Sequence, residues 1–264
     1  MEIGINIFSG VTPEAQVECF KKYGVTRTFL ASEDPELERV VKLFQENDIL
    51  CETLHSPFDR INDMWKEGEE GDRMLARLMD GVDKCAKYGI PVLIVHVSSG
   101  RPMPEISESG TKRYASLVEY AVKRGVTIAF ENLRYLENLQ YIIDLCPGCG
   151  FCWDCGHEYC YTPGVENVPI LGDKLVAVHL HDNRCRLDAD DHVLPFDGKI
   201  DLETVAKHLA NSGYSGTIML EITKDACFGE EKLYADWSDE EYIRVAADRA
   251  RKLAEMVEGY RSMR

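Results

Sequence analysis

The sequence has no apolar run approaching the roughly 20 residues that a membrane-spanning helix needs, which argues against an integral helical membrane protein. It also has no basic segment feeding a long apolar stretch after Met1. The chain runs straight into a strand-like segment, Glu2-Ile3-Gly4-Ile5-Asn6-Ile7-Phe8. We therefore read no secretion signal and expect a cytoplasmic protein. Positive charge is scarce: 30 Lys and Arg stand against 46 Asp and Glu, a net charge of −16. Gripping a phosphate backbone takes clustered Lys and Arg, so this balance argues against a nucleic-acid partner, and solubility is its plainest meaning. A glycine-rich phosphate loop is missing after the first strand-like run, where Phe8-Ser9-Gly10-Val11-Thr12-Pro13 stands instead. That speaks against an open, doubly wound dinucleotide-binding sheet. No linker or low-complexity tract interrupts residues 1–264, which we expect to form a single domain.

Strand-like and helix-like patterns alternate throughout. Eight segments read as strands: 2–8, 26–31, 49–55, 91–97, 126–131, 150–154, 174–181 and 216–222. Several are nearly continuous apolar runs, such as Val92-Leu93-Ile94-Val95, which suit parallel strands covered on both faces. Between them, Leu37, Val40, Val41 and Phe44 follow helical spacing. So do Leu75, Leu78, Met79, Val82 and Ala86, then Leu117, Val118, Ala121 and Val122, and Leu202, Val205, Leu209 and Ala210. Leu139, Ile142 and Ile143 mark a shorter helix. Thr12-Pro13 and Asp34-Pro35 read as N-caps followed by proline. Gly24, Gly89, Gly125 and Gly213 sit where a helix ends in a left-handed residue. Segment 157–173 reads as a loop with at most a short helix. The whole predicts an α/β fold, a (β/α)₈ TIM barrel.

Histidine is sparse, seven in all, yet six fall at or just past predicted strand C-termini. They are His55, His96, His157, His179, His181 and His192. Glu131, Asp154 and Glu221 end strands too, and Asp190-Asp191 precede His192. A closed barrel brings those ends to one mouth. Carboxylates and imidazoles converging there call for a divalent cation. Mixed ligation suits Zn²⁺ or Mn²⁺, with Co²⁺, Fe²⁺ or Mg²⁺ as further candidates. Strand alternation agrees: His179 and His181 share a face, Asp154 shares one with Cys152, and Leu220 and Ile222 point away from Glu221.

At these residues the chain resembles the xylose-isomerase-like barrel superfamily, which holds sugar isomerases, sugar epimerases and endonuclease IV. The resemblance spans essentially the whole chain. It is carried by Glu131-Asn132, Trp153-Asp154-Cys155-Gly156-His157, Val178-His179-Leu180-His181-Asp182-Asn183, Asp190-Asp191-His192, Pro195-Phe196-Asp197-Gly198-Lys199-Ile200-Asp201, and Gly213-Tyr214-Ser215-Gly216 leading to Leu220-Glu221-Ile222. In the isomerase and epimerase branch it implies one metal held by Glu131, Asp154, His179 and Glu221. Glu131 and Glu221 would also move the proton, through an enediolate. His157 and Arg184 or Arg186 would hold oxygens of a sugar or polyol, free or phosphorylated. The endonuclease IV branch uses three zinc ions, and this chain can supply every ligand. His55, His96 and Glu131 would hold one, Glu131, Asp154, His179 and Glu221 a second, and His157, Asp190 and His192 a third. A multi-zinc phosphodiesterase is thus the alternative enzyme, and a catalytically idle barrel that binds a metal or polyol as a sensor is the alternative without chemistry.

Cys146, Cys149, Cys152, Cys155 and Cys160 are spaced like an iron–sulfur run, but strand 150–154 would turn Cys152 and Cys155 to opposite sides, so free thiols are expected. The segment from Ser56 to Asp72 is long for a βα loop and reads as a lid, with Phe58 or Trp65 lining the substrate pocket. A second aromatic patch, Phe228, Tyr234 and Trp237 in 224–240, reads as lid or subunit interface, which leaves a homo-oligomer open.

Overall fold

A computed structural model describes residues 1–8 and 10–263. Eight parallel strands carry the fold: β1 (Ile3–Ile5), β2 (Arg27–Ala31), β3 (Leu50–His55), β4 (Val92–His96), β5 (Thr127–Glu131), β6 (Gly150–Asp154), β7 (Leu175–His179) and β8 (Ile218–Leu220). Each pairs in parallel with its neighbours in the order β7-β6-β5-β4-β3-β2-β1-β8. The seam between β7 and β8 is closed just beyond β7. There the Leu180 N–H donates to Met219 O at 2.9 Å and the Glu221 N–H to Leu180 O at 3.1 Å. The result is the TIM barrel that the alternating pattern predicts.

Helices cover the outside: α1 (Pro13–Lys22), α2 (Leu37–Gln45), α3 (Glu69–Tyr88), α4 (Glu108–Val122), α5 (Leu136–Leu145), α6 (Cys155–Tyr161), α7 (Val168–Leu171), α8 (Leu202–Ser212) and α9 (Asp239–Ser262). None is long and apolar enough to cross a membrane among the described residues. Thr12 caps α1, accepting from the Ala15 N–H. Asp34-Pro35 does not open α2 directly. Asp34 accepts from the Glu36 N–H at 2.8 Å in a preceding turn, and the helix begins at Leu37. On α3 the buried face is Met74, Leu78, Val82 and Cys85, rotated from the expected stripe, and Ala86 is exposed. Gly24, Gly89, Gly125 and Gly213 all have φ between 65° and 78°. The weak segment after 156 is more helical than expected, because the Asp154 carboxylate accepts the His157 N–H at 2.7 Å and starts α6 at the strand's end.

Several strands are shorter than the apolar runs suggest. β1 stops at Ile5 and β8 at Leu220, where side-chain bonds take over: the Ile222 N–H donates to Asn6 Oδ1 at 2.9 Å and Asn6 Nδ2 to Ile222 O at 3.0 Å. His181 and Glu221 therefore sit just past their strands. Most of the core lies between barrel and helices. A small separate cluster joins Ile94, Ala129, Cys152 and Ala177 on β4 to β7. In each of these four strands the residue two places on, one pleat higher, is His96, Glu131, Asp154 or His179.

Candidate metal centre

The strand registers bring the polar residues together. His96 pairs with Glu131 across β4 and β5, and Asp154 with His179 across β6 and β7. Glu131 is the hub. Its Oε2 lies 2.8 Å from His96 Nε2 and 3.3 Å from His55 Nε2, and its Oε1 2.8 Å from His179 Nδ1. Glu221 Oε2 approaches the same His179 Nδ1 at 3.3 Å. Donor atoms of Glu131, Asp154, His179 and Glu221 all lie within 4.8 Å of one another, and so do those of His55, His96 and Glu131. A further group of the same tightness contains His157, His181, Asp190 and His192.

The fit of these groups to cations rests on unspent valence. Asp154 Oδ2, His179 Nε2 and His96 Nδ1 are buried without a hydrogen-bond partner. Buried polar atoms are normally satisfied, and a cation among carboxylate oxygens and imidazole nitrogens satisfies several at once. Asn132 holds two of the strand ends in place: its Oδ1 accepts the Asp154 N–H and its Nδ2 donates to Asp154 O, both at 2.8 Å.

Electrostatics in the metal-free cluster follow from the same contacts. Burial would raise the Glu131 carboxyl, but the charge on His179 and hydrogen bonds from His179, His55 and His96 hold it well below the usual range. Glu221 is depressed likewise, against burial, chiefly by the charge of His179. Burial pulls His179 down, but Glu221 and Glu131 raise it well above 6.5. His157 is raised to about 10, Asp154 and Asp190 outweighing its burial. His96 alone is lowered, by burial. The raised His157 and His179 favour positive charge among these carboxylates, and a cation taking that place would expel protons.

The loop carrying Asp190 and His192 is folded around Asp182. Its Oδ1 accepts the N–H groups of Asn183 at 2.8 Å and Ile200 at 3.0 Å, and its Oδ2 that of Phe196 at 3.0 Å. A Cβ on Gly198 would fall 2.1 Å from Asp182 Oδ1, which explains glycine there. His192 has φ 47°, a costly conformation for a non-glycine residue, and its Nδ1 meets Glu221 O at 2.9 Å.

Two cavities open above these groups. One, about 270 Å³, is lined by His96, Glu131, His157, Asp190 and His192 among others. The other, about 620 Å³, lies beside it over β1 to β3, and both include His55, Phe58 and Glu221.

Residues 16–253 match the family model described as xylose isomerase-like TIM barrel. The chain belongs to this family. Among curated proteins it is 29% identical over 198 residues to the uncharacterized protein y4fM of Sinorhizobium fredii, covering 66% of this chain and 62% of that one. The chain thus spans less than two thirds of that relative's length. Among solved structures it is similar to a D-tagatose 3-epimerase-like protein, with a TM-score of 0.77, 19% identity, and coverage of 100% of this chain and 99% of that one. It is also similar to the IolI protein solved with a bound zinc atom, with a TM-score of 0.73, 18% identity, and coverage of 98% and 99%. At such identities the likeness is one of fold.

Within this xylose isomerase-like barrel, not every expected residue reaches the mouth. Arg184 is held by Asp191, at 2.7 and 3.0 Å, over the Phe228 ring, and lines neither cavity; nor does Arg186. Phe58 is 51% exposed, stacks on His96 at 5.0 Å and lines both cavities. Trp65 is 4% exposed, bonds Val97 O through its indole N–H at 2.8 Å and packs on Tyr114, so it belongs to the core and not to the pocket. In the second patch Tyr234 is buried and packs edge-on against Tyr242 and Trp237. All ten cysteines are free thiols.

Two residues went unassigned from sequence. His181 joins the His157 group, and its alternation with His179 was the available signal. Arg134 lines the smaller cavity, lies over the Tyr161 ring at 3.7 Å and is paired with Asp188 at 3.0 Å. No motif in the sequence marked it.

Proposed function

We propose that the chain is a divalent-metal-dependent isomerase or epimerase of a sugar or related polyol. The carrying observation is that Glu131 and Glu221, from strands on different sides of the mouth, converge on His179 beneath one open cavity. Glu131, Asp154, His179 and Glu221 would hold the ion. A bound cation supplies polarisation of a substrate carbonyl and its adjacent hydroxyl, acidifying the carbon-bound proton between them.

The remaining steps belong to the protein. Glu221, the more exposed of the two glutamates, takes the proton from carbon, and the C–H electron pair moves toward the carbonyl to give an enediolate. Return of a proton to the neighbouring carbon, with the hydroxyl proton passing to the former carbonyl oxygen, isomerises the substrate. For inversion Glu131 would have to carry a proton at the outset, delivering it to the opposite face of the same carbon while Glu221 keeps the one it took. His157 and Arg134 line the cavity where hydroxyls would bind. The fold shared with a D-tagatose 3-epimerase-like protein and the zinc in IolI support this reading. Incubation with ketoses in deuterated water tests it: incorporation of deuterium at carbon is expected, and none with any ketose or aldose in metal-loaded protein would refute it.

A second reading, a multi-zinc phosphodiesterase, is favoured by the three ligand groups lying side by side. Three tightly held ions per chain together with nicking of abasic-site DNA would establish it over the first. The net charge of −16 stands against it.

A further inference from the structure

The larger cavity differs in chemistry from the one above the ligand groups. Phe8, Val11, Pro13, Phe29, Pro57 and Phe58 give it an apolar wall. Among the described residues lining it there is no Lys or Arg, whereas Glu33, Asp34 and Asp59 stand along it. The nearby cation, Arg77 of α3, is spent on Glu33 at 2.8 Å and Asp59 at 2.9 Å. A phosphate placed here would meet carboxylates with no free positive partner, and the acidity of the whole chain adds to that repulsion. Two neutral polar residues also line this cavity: Asn6, whose amide is spent on Ile222 and Ile7, and Ser56, whose hydroxyl is itself buried without a partner.

Size and continuity point the same way. About 620 Å³ falls within the range of roughly 300–1,000 Å³ that takes ligands larger than a single sugar. His55, Phe58 and Glu221 are common to both cavities, so a molecule whose reacting carbons lie by Glu221 can extend into the larger one. The half-exposed Phe58 ring stands at that junction, where an aromatic or alkyl group would pass over it.

We propose that the substrate is an uncharged sugar derivative bearing an apolar substituent at the end remote from its reacting carbons, and that the substituent occupies the Phe8–Phe29–Phe58 cavity. This rests on the isomerase or epimerase reading for the identity of the reacting end. It sets the substrate apart from sugar phosphates.

The test compares D-fructose, 6-O-benzyl-D-fructose and D-fructose 6-phosphate on the metal-loaded full chain. Affinity is read by calorimetry and deuterium uptake at carbon by NMR. The benzyl ether is expected to bind about tenfold or more tighter than fructose, as burial of a phenyl ring requires. The phosphate is expected to bind more weakly than fructose. A phosphate that binds as tightly as the benzyl ether, or exchanges faster, overturns the assignment while leaving the isomerase reading intact. Preference for the benzyl ether without exchange in any compound upholds the cavity's chemistry and overturns the isomerase reading instead. Folded Val11→Arg protein should lose the benzyl preference and gain phosphate affinity. An unchanged order in that variant would remove the cavity from the assignment.

Discussion

His181 Nε2 lies 3.2 Å from Asp154 Oδ1 and 3.6 Å from Asp190 Oδ1, so one imidazole touches a carboxylate from each of two ligand groups. Its ring is pressed on Gly156, where an added Cβ would fall 1.9 Å from His181 Cε1, and stacks on His192 at 3.9 Å. Gly156→Ala must therefore displace the ring. Because such outer contacts orient ligands, metal affinity at the Asp154 group is expected to fall by about 10–100-fold. Competition with a chromogenic chelator measures it, and unchanged affinity would mean that His181 does not position Asp154.

Glu221→Gln removes the proposed base while keeping a neutral oxygen at nearly the same place. Deuterium exchange at the substrate carbon should drop by about 10²–10⁴-fold, the usual worth of a positioned base. Metal content checked alongside separates loss of chemistry from loss of the ion. Full exchange activity in the loaded variant would take Glu221 out of the mechanism.

The metal-free chain should lose stability at alkaline pH. Burial opposes charge on His157 and His192, yet neighbouring carboxylates raise them from 6.5 to about 10 and about 9. A raised folded value gives stability that is fully present below pH 6.5 and lost as the pH climbs through 9 to 10. Melting of chelator-stripped protein should fall across that window. Metal-loaded protein should fall less, since the cation has replaced the protons. A flat profile for stripped protein would show that these rings are not charged in it.

Trp65 and Phe58 should separate cleanly. Trp65→Ala is expected to cost about 3–5 kcal/mol of stability, as for other buried aromatics. Phe58→Ala, at an exposed ring, should change stability by less than about 1 kcal/mol yet weaken ligand binding. Denaturant melts and calorimetric titration of the pair decide it, and the reverse pattern would return Trp65 to the pocket.

How far the sequence could be read follows from which constraints are local. Apolar runs and their spacing specify the eight strands. Because a barrel gathers strand ends, Glu131, Asp154, His179 and Glu221 could be brought to one mouth without coordinates. Boundaries were harder, since β1 and β8 end where Asn6 pairs with Ile222, a contact between opposite ends of the chain. Loop residues were harder still. Nothing in the string says that Arg184 is consumed by Asp191 while Arg134 leans over Tyr161 toward the cavity. Trp65 and Phe58 share a loop and an aromatic character. Only the turn at Ile61–Trp65 sends one inward beneath Val97 and leaves the other at the surface.

The open cavity above Glu131 and Glu221 has a consequence for metal exchange. An ion held by Glu131 and His179 would lie beneath the space that substrate would fill. A bound substrate would then act as a stopper, slowing chelator stripping in proportion to its own residence time.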